Sequence, residues 1–175
     1  MITILATVDG SPASRAVLPA VEKLALEAGG KATLLTVIER PKATVRRVEV
    51  TRAPFIAAPA AVGGIEVPTD RRGSEPTYAE SDDQALERAK DEGRDFLKET
   101  AKPLKERGIE VDTEVVVEHD VAKAIIDFAR ENKVDLIAMA THGRGGINEL
   151  VQGSVASAVV RSGVAPVLLI RPAKS

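Results

Sequence analysis

The chain has 175 residues, 44% of them hydrophobic, which is enough to bury one sizeable core and little for two, so a single domain over residues 1–175 is expected. Its 24 Lys and Arg nearly balance 26 Asp and Glu for a formal net charge of −2, and its aromatics are Phe55, Phe96, Phe128 and Tyr78, so it has neither the overall charge nor the stacking platforms of a nucleic-acid binder, nor the charge that draws a protein to an acidic membrane surface. The absence of cysteine removes disulfides, thiolate metal sites and cysteine nucleophiles, and two histidines, His119 and His142, cannot build a multi-histidine metal cage.

The opening MITILATVDG has no basic stretch leading into an apolar one, and no apolar run approaches the roughly 20 residues of a membrane span. A soluble, cytoplasmic protein is expected. Residues 2–8, ITILATV, are an apolar, β-branched run that stops at Asp9-Gly10, the pattern of a buried strand ending in a turn. Ser11 and Pro12 then suit an N-cap and a first helical position, and Val17, Val21, Leu24 and Ala28 recur at helical spacing until Gly29-Gly30, predicting a helix over about 12–28. Residues 32–38, ATLLTVI, predict a second buried strand, parallel to the first through a right-handed crossover.

From Glu39 to Tyr78 this regularity stops. Half of the ten prolines fall here, at Pro41, Pro54, Pro59, Pro68 and Pro76. A stretch of about 40 residues without regular structure is unusual in a compact domain and marks an insertion; within it, residues 44–51, TVRRVEVT, alternate enough for an extended piece, half of a hairpin. Helical spacing returns after Ser81, a candidate N-cap followed by Asp82 and Asp83, with Leu86, Ala89, Gly93, Phe96, Thr100 and Leu104 on one face up to about Gly108. Residues 110–118 predict a third strand, Asp120 caps a helix with Ile125, Phe128 and Ala129 facing inward, and residues 134–140 predict a fourth strand. A polar, glycine-rich stretch, THGRGGINELVQGS, leads into a helix over about 154–162 and a fifth strand at 166–170.

Strands alternating with helices make an α/β three-layer sandwich on a mainly parallel five-stranded sheet, Rossmann-like, with expected strand order 3-2-1-4-5. In such a sheet ligands bind beyond the carboxyl ends of the strands where the order reverses, here between strands one and four. That geometry brings Thr7-Val8-Asp9-Gly10 to Ala140-Thr141-His142-Gly143. Gly143, Gly145 and Gly146, followed by Gly153-Ser154 opening a helix, can aim several backbone N–H groups at one point, which suits phosphate. The same spacing also describes an ordinary strand-to-helix loop. There is no GxxxxGK[ST], GxGxxG, GxSxG or HExxH motif, and neither a catalytic residue nor a metal ligand is assigned.

Residues 139–171, MATHGRGGINELVQGSVASAVVRSGVAPVLLIR, resemble the C-terminal signature of the universal stress protein family, and ILATVDGSPAS resembles its N-terminal one. The nucleotide-binding members of that family carry Gly, two residues, Gly, nine residues, Gly, then Ser or Thr. Here Gly143, nine residues, Gly153 and Ser154 match, and Ala140 stands where the first glycine is expected. The resemblance implies an ATP site. Asp9 would accept hydrogen bonds from ribose or adenine beside the backbone of Thr7 and Val8; Val37 would meet adenine; Met139 and Ala140 would flank the ribose. Gly143, Gly153, Ser154 and the N–H groups of Val155 and Ala156 would cradle phosphates, with Arg144 and His142 alongside and any Mg²⁺ held by phosphates and water.

The residues alone leave other roles open. Asp9 also suits a turn cap, Val37 and Met139 the core, Ser154 a helix cap, Arg144 a solvated loop and His142 a structural position. The functional expectation is an ATP-binding stress-response regulator that switches with nucleotide occupancy, pairs with a second copy through the edge strand 166–171 and answers to a partner protein of unknown identity. A slow ATPase using Asp9 or His142, and an interaction module without nucleotide, are the alternatives.

Overall fold

The computed structural model describes residues 1–39, 45–47, 77–79, 82–141 and 153–172. Five parallel strands form one sheet: β1 (Thr3–Thr7), β2 (Lys31–Ile38), β5 (Glu110–Val117), β6 (Leu136–Ala140) and β7 (Val167–Ile170), in the order β5-β2-β1-β6-β7. Among these five, that is third, second, first, fourth, fifth, the expected order. β3 (Val45–Arg47) and β4 (Thr77–Ala79) pair antiparallel in a separate two-stranded sheet, so the alternating stretch at 44–51 does supply one strand of a ladder. The rest of the expected insertion lies outside the described residues.

The sheet is buried on both faces because its strands are apolar at successive positions, and the period of two sends neighbours to opposite sides. Ile4, Ala6, Val8 and Leu34 pack on one side with Val17, Val21 and Ala25 from α1 (Leu18–Ala28) and its approach, and with Leu97, Ala101 and Leu104 of α2 (Asp82–Glu106). Leu5, Leu35, Ile137 and Met139 pack on the other with Ile125 and Ala129 of α3 (Val121–Glu131) and Ala156 and Val159 of α4 (Ser154–Ser162). This makes the three layers anticipated from sequence.

Local differences have local causes. The first helix begins as a 3-10 turn at Ser14–Val17 and becomes α-helical only at Leu18, so Pro12 lies in the preceding turn. Ser11 still behaves as a cap, its Oγ accepting the Ser14 N–H at 3.1 Å. Along α2 the buried face is wider than the spacing read from sequence, since Leu97 and Ala101 are fully buried and Phe96 is only half-buried, under the Arg15 guanidinium. Gly93 faces the sheet so closely that a Cβ there would stand 3.1 Å from Ile38 Cδ1. Glycine at this point lets the long helix approach β2 and β5.

Candidate functional site

At the carboxyl ends of β1 and β6, where the chain leaves the sheet in opposite directions, a cleft of ≈ 310 Å³ opens. Leu35 and Val37 of β2, Val121 and Ile125 of α3 and Met139 of β6 give it an apolar wall; Thr7, Val8 and Asp9 form the β1 side, and Gly153, Ser154, Val155 and Ala156 the α4 side. Asp9 is the one charged residue among the described residues that line it. This composition, apolar with a few polar groups from separate elements, is that of a small-molecule site.

The β1 end is held by a set of short bonds. Beyond Thr7 the chain continues extended through Val8, whose N–H donates to the Leu35 carbonyl at 2.9 Å. The Val8 carbonyl accepts from Thr36 Oγ1. The Asp9 N–H donates to Ser14 Oγ at 3.3 Å, and Ser14 Oγ donates to the Ser11 carbonyl at 2.8 Å. Asp9 Oδ1 in turn accepts from Ser11 N–H at 3.0 Å and Ser11 Oγ at 2.6 Å. Asp9 therefore does cap its turn, with Gly10 next to it at φ 83°, a conformation that glycine adopts without strain. Its carboxylate is exposed all the same and lines the cleft. The turn role and a ligand role share one side chain without conflict.

Opposite Asp9, α4 opens with Gly153 at the cap position, φ −51° and ψ 156°, and no described side chain caps it. The first bond of the helical ladder runs from Ser157 N–H to the Gly153 carbonyl at 2.9 Å, so the amides of Ser154, Val155 and Ala156 precede it. Ser154 is thus the first helical residue, and the cap position belongs to Gly153. The neighbouring helix is different: at α3, Asp120 Oδ1 accepts the Lys123 N–H at 3.0 Å. Three such amides at a positive helix end suit anionic oxygen chemically.

Every described residue expected at the site lines this cleft: Thr7, Val8, Asp9, Val37, Met139, Ala140, Gly153, Ser154, Val155 and Ala156. His142, Gly143 and Arg144 lie outside the described residues. Ala140, expected at the position of the family's first glycine, ends β6 in register with Ile170 and has no positive φ. Met139 and Val37 both line the cleft and pack in the apolar layer beneath it. Thr141, in the segment that the sequence brings to this crevice, lines it as well, and so do Ser14, Leu35, Val121 and Ile125, which the sequence does not assign to the site. The spacing of Ile125 marks a core residue, and nothing local distinguishes a core residue from one whose far end meets a cleft.

Charges near the α3 start pair with one another, Lys123 with Glu118 and Asp127. The His119 N–H, then Lys123, hold the Glu118 carboxyl below its ordinary range, and Asp127, then Glu118, raise the Lys123 ammonium. All three are exposed enough for this to add little stability. Among the described residues no helix is long and apolar enough to cross a membrane.

Comparison with known proteins agrees with the fold. Residues 65–171, more than half of the chain, match the universal stress protein family. A universal stress protein of Methanocaldococcus jannaschii is 38% identical over 85 residues, 49% of this chain and 49% of that protein, so the alignment spans about half of the relative's length. A solved universal stress protein from Burkholderia pseudomallei superposes with a TM-score of 0.63 at 24% identity, covering 98% of this chain and 96% of that one. Two further solved members share the fold, one in complex with cAMP (TM-score 0.58, 18% identity, 97% of this chain and 96% of that one) and one from Archaeoglobus fulgidus in complex with dAMP (0.54, 18%, 97% and 97%). By the matched segment, the strand order and the layer arrangement, this chain belongs to the universal stress protein family.

Proposed function

We propose that this protein binds an adenine nucleotide, ATP above all, in the cleft between β1 and β6, and that occupancy is the signal it passes on in a stress response. The observation that carries this reading is the α4 start, whose first-turn amides open without a described side-chain cap into an apolar cleft that the Asp9 carboxylate, held by Ser11 just beyond β1, also lines. Adenine would lie against Leu35, Val37, Val121 and Ile125, the ribose hydroxyls would donate to Asp9 beside Met139 and Ala140, and the phosphates would take N–H bonds from Ser154, Val155 and Ala156. Charge-assisted bonds of this kind contribute ~1.5–3 kcal/mol each. The solved relatives that hold cAMP and dAMP support an adenosine monophosphate core; the further phosphates would extend toward Gly143, Arg144 and His142, with Mg²⁺ carried on phosphate oxygens and water.

In this reading the chain is one universal stress protein domain with an insertion at about 40–80, it pairs with a second copy along β7, and its output is a changed surface offered to a partner protein. Calorimetric titration of nucleotide-free protein with ATP tests it. A saturable, single-site isotherm is expected; no heat of binding in a large excess of ATP would overturn the proposal.

A further inference from the structure

The tip of β1 is pinned by partners the cleft does not contain. Thr36 lies on β2, is 6% exposed, and has its methyl on the α2 side of the sheet, where a Cβ at Gly93 would meet its Cγ2 at 3.4 Å. That is the face opposite Leu35 and Val37, which wall the cleft. Its hydroxyl donates to the Val8 carbonyl, 28 residues away in sequence and one peptide before Asp9. With Leu35 taking the Val8 N–H and Ser14 Oγ taking the Asp9 N–H, each polar group of the Val8 backbone and the amide of Asp9 has a partner on another element. The Asp9 carboxylate can then swing only by rotating its own side chain, which Ser11 restrains from N–H and Oγ together.

We infer that Thr36 is a positioning residue for nucleotide: from beneath the sheet it fixes the peptide that carries Asp9 and thereby aims the carboxylate into the cleft. The inference rests on the proposed nucleotide site. A hydroxyl bonded to a buried carbonyl has two separable effects. One is general stability, which a buried, unsatisfied carbonyl would lower wherever it stood. The other is specific: misplacing Asp9 weakens only those ligand contacts that pass through Asp9. Groups in one hydrogen-bond network couple non-additively, whereas independent ones add.

A double-mutant cycle read by ATP calorimetry separates the two. Thr36→Val keeps the side-chain shape and removes the donor, and is expected to weaken ATP about fivefold to tenfold, the size of coupling seen within such networks. In an Asp9→Ala background the same substitution is expected to leave the already weakened affinity unchanged, and Thr36→Ser, which restores a hydroxyl, is expected to return wild-type affinity. An equal loss in both backgrounds, or no loss in either, would overturn the positioning role. Should Thr36→Val lose its circular-dichroism signature of folding, Thr36→Ala takes its place in the cycle with the same two readings. Failure of the underlying site looks different: Asp9→Ala would bind ATP as tightly as wild type, or wild type would bind none, and the positioning role would fall with it.

Discussion

Gly153 is where the backbone meets the space a phosphate would fill. Its φ of −51° is open to any residue, and a Cβ built on it meets no described atom within 4 Å. A Cβ there therefore meets nothing in the described structure, and a larger side chain beside the α4 amides would crowd a phosphate docked on them. Gly153→Val should leave thermal unfolding close to wild type and weaken ATP by on the order of hundredfold, the loss of about two charge-assisted bonds; unchanged affinity in calorimetry would show that phosphate does not dock there. Asp9 and Gly153 were legible in the sequence because their chemistry is local: an acid at the end of an apolar run, a glycine before a helix. Thr36 was not. In the run ATLLTVI it reads as one more buried strand residue, since its partner, the Val8 carbonyl, is brought to it only by the pairing of β1 with β2.

Among the elements, α2 and β7 define opposite kinds of surface. α2 is laced with exposed neighbour pairs such as Arg88–Glu92 and Arg94–Asp91, which keep its outer side hydrated and add a few tenths of a kcal/mol each. β7 carries four apolar residues, all half-buried, and pairs on one side with β6 at the end of the strand order. An apolar edge that no other described strand pairs invites another strand, and Pro166 and Pro172 bound the ladder such a partner could form. Light scattering at micromolar concentration is expected to give the mass of a dimer, and Leu168→Lys to shift it toward monomer; a monomeric wild type would contradict pairing along β7. Strand identity here was readable from composition, but the exact start of the first helix was not. Ser11 and Ser14 bond each other through backbone and side chain, and that closed turn replaces the first α-helical turn with a 3-10 one.

Across the whole molecule, the site follows from topology. Helical connections of this length favour parallel pairing and right-handed crossovers, the expected doubly wound order matches the observed one, and the reversal between β1 and β6 in that order locates the cleft. What topology could not supply was the cleft's depth, which depends on how α3 packs: Val121 and Ile125 enter its wall one helical turn apart, an outcome of layer packing and not of any motif. The central claim is that first-turn amides of α4 and the Asp9 carboxylate just beyond β1 grip two ends of one adenine nucleotide. A crystal structure of the protein grown with ATP tests it most directly. Phosphate oxygens within hydrogen-bonding distance of the Ser154–Ala156 amides, with ribose at Asp9, are predicted; a cleft filled by the protein's own side chains, or nucleotide bound elsewhere, would contradict it.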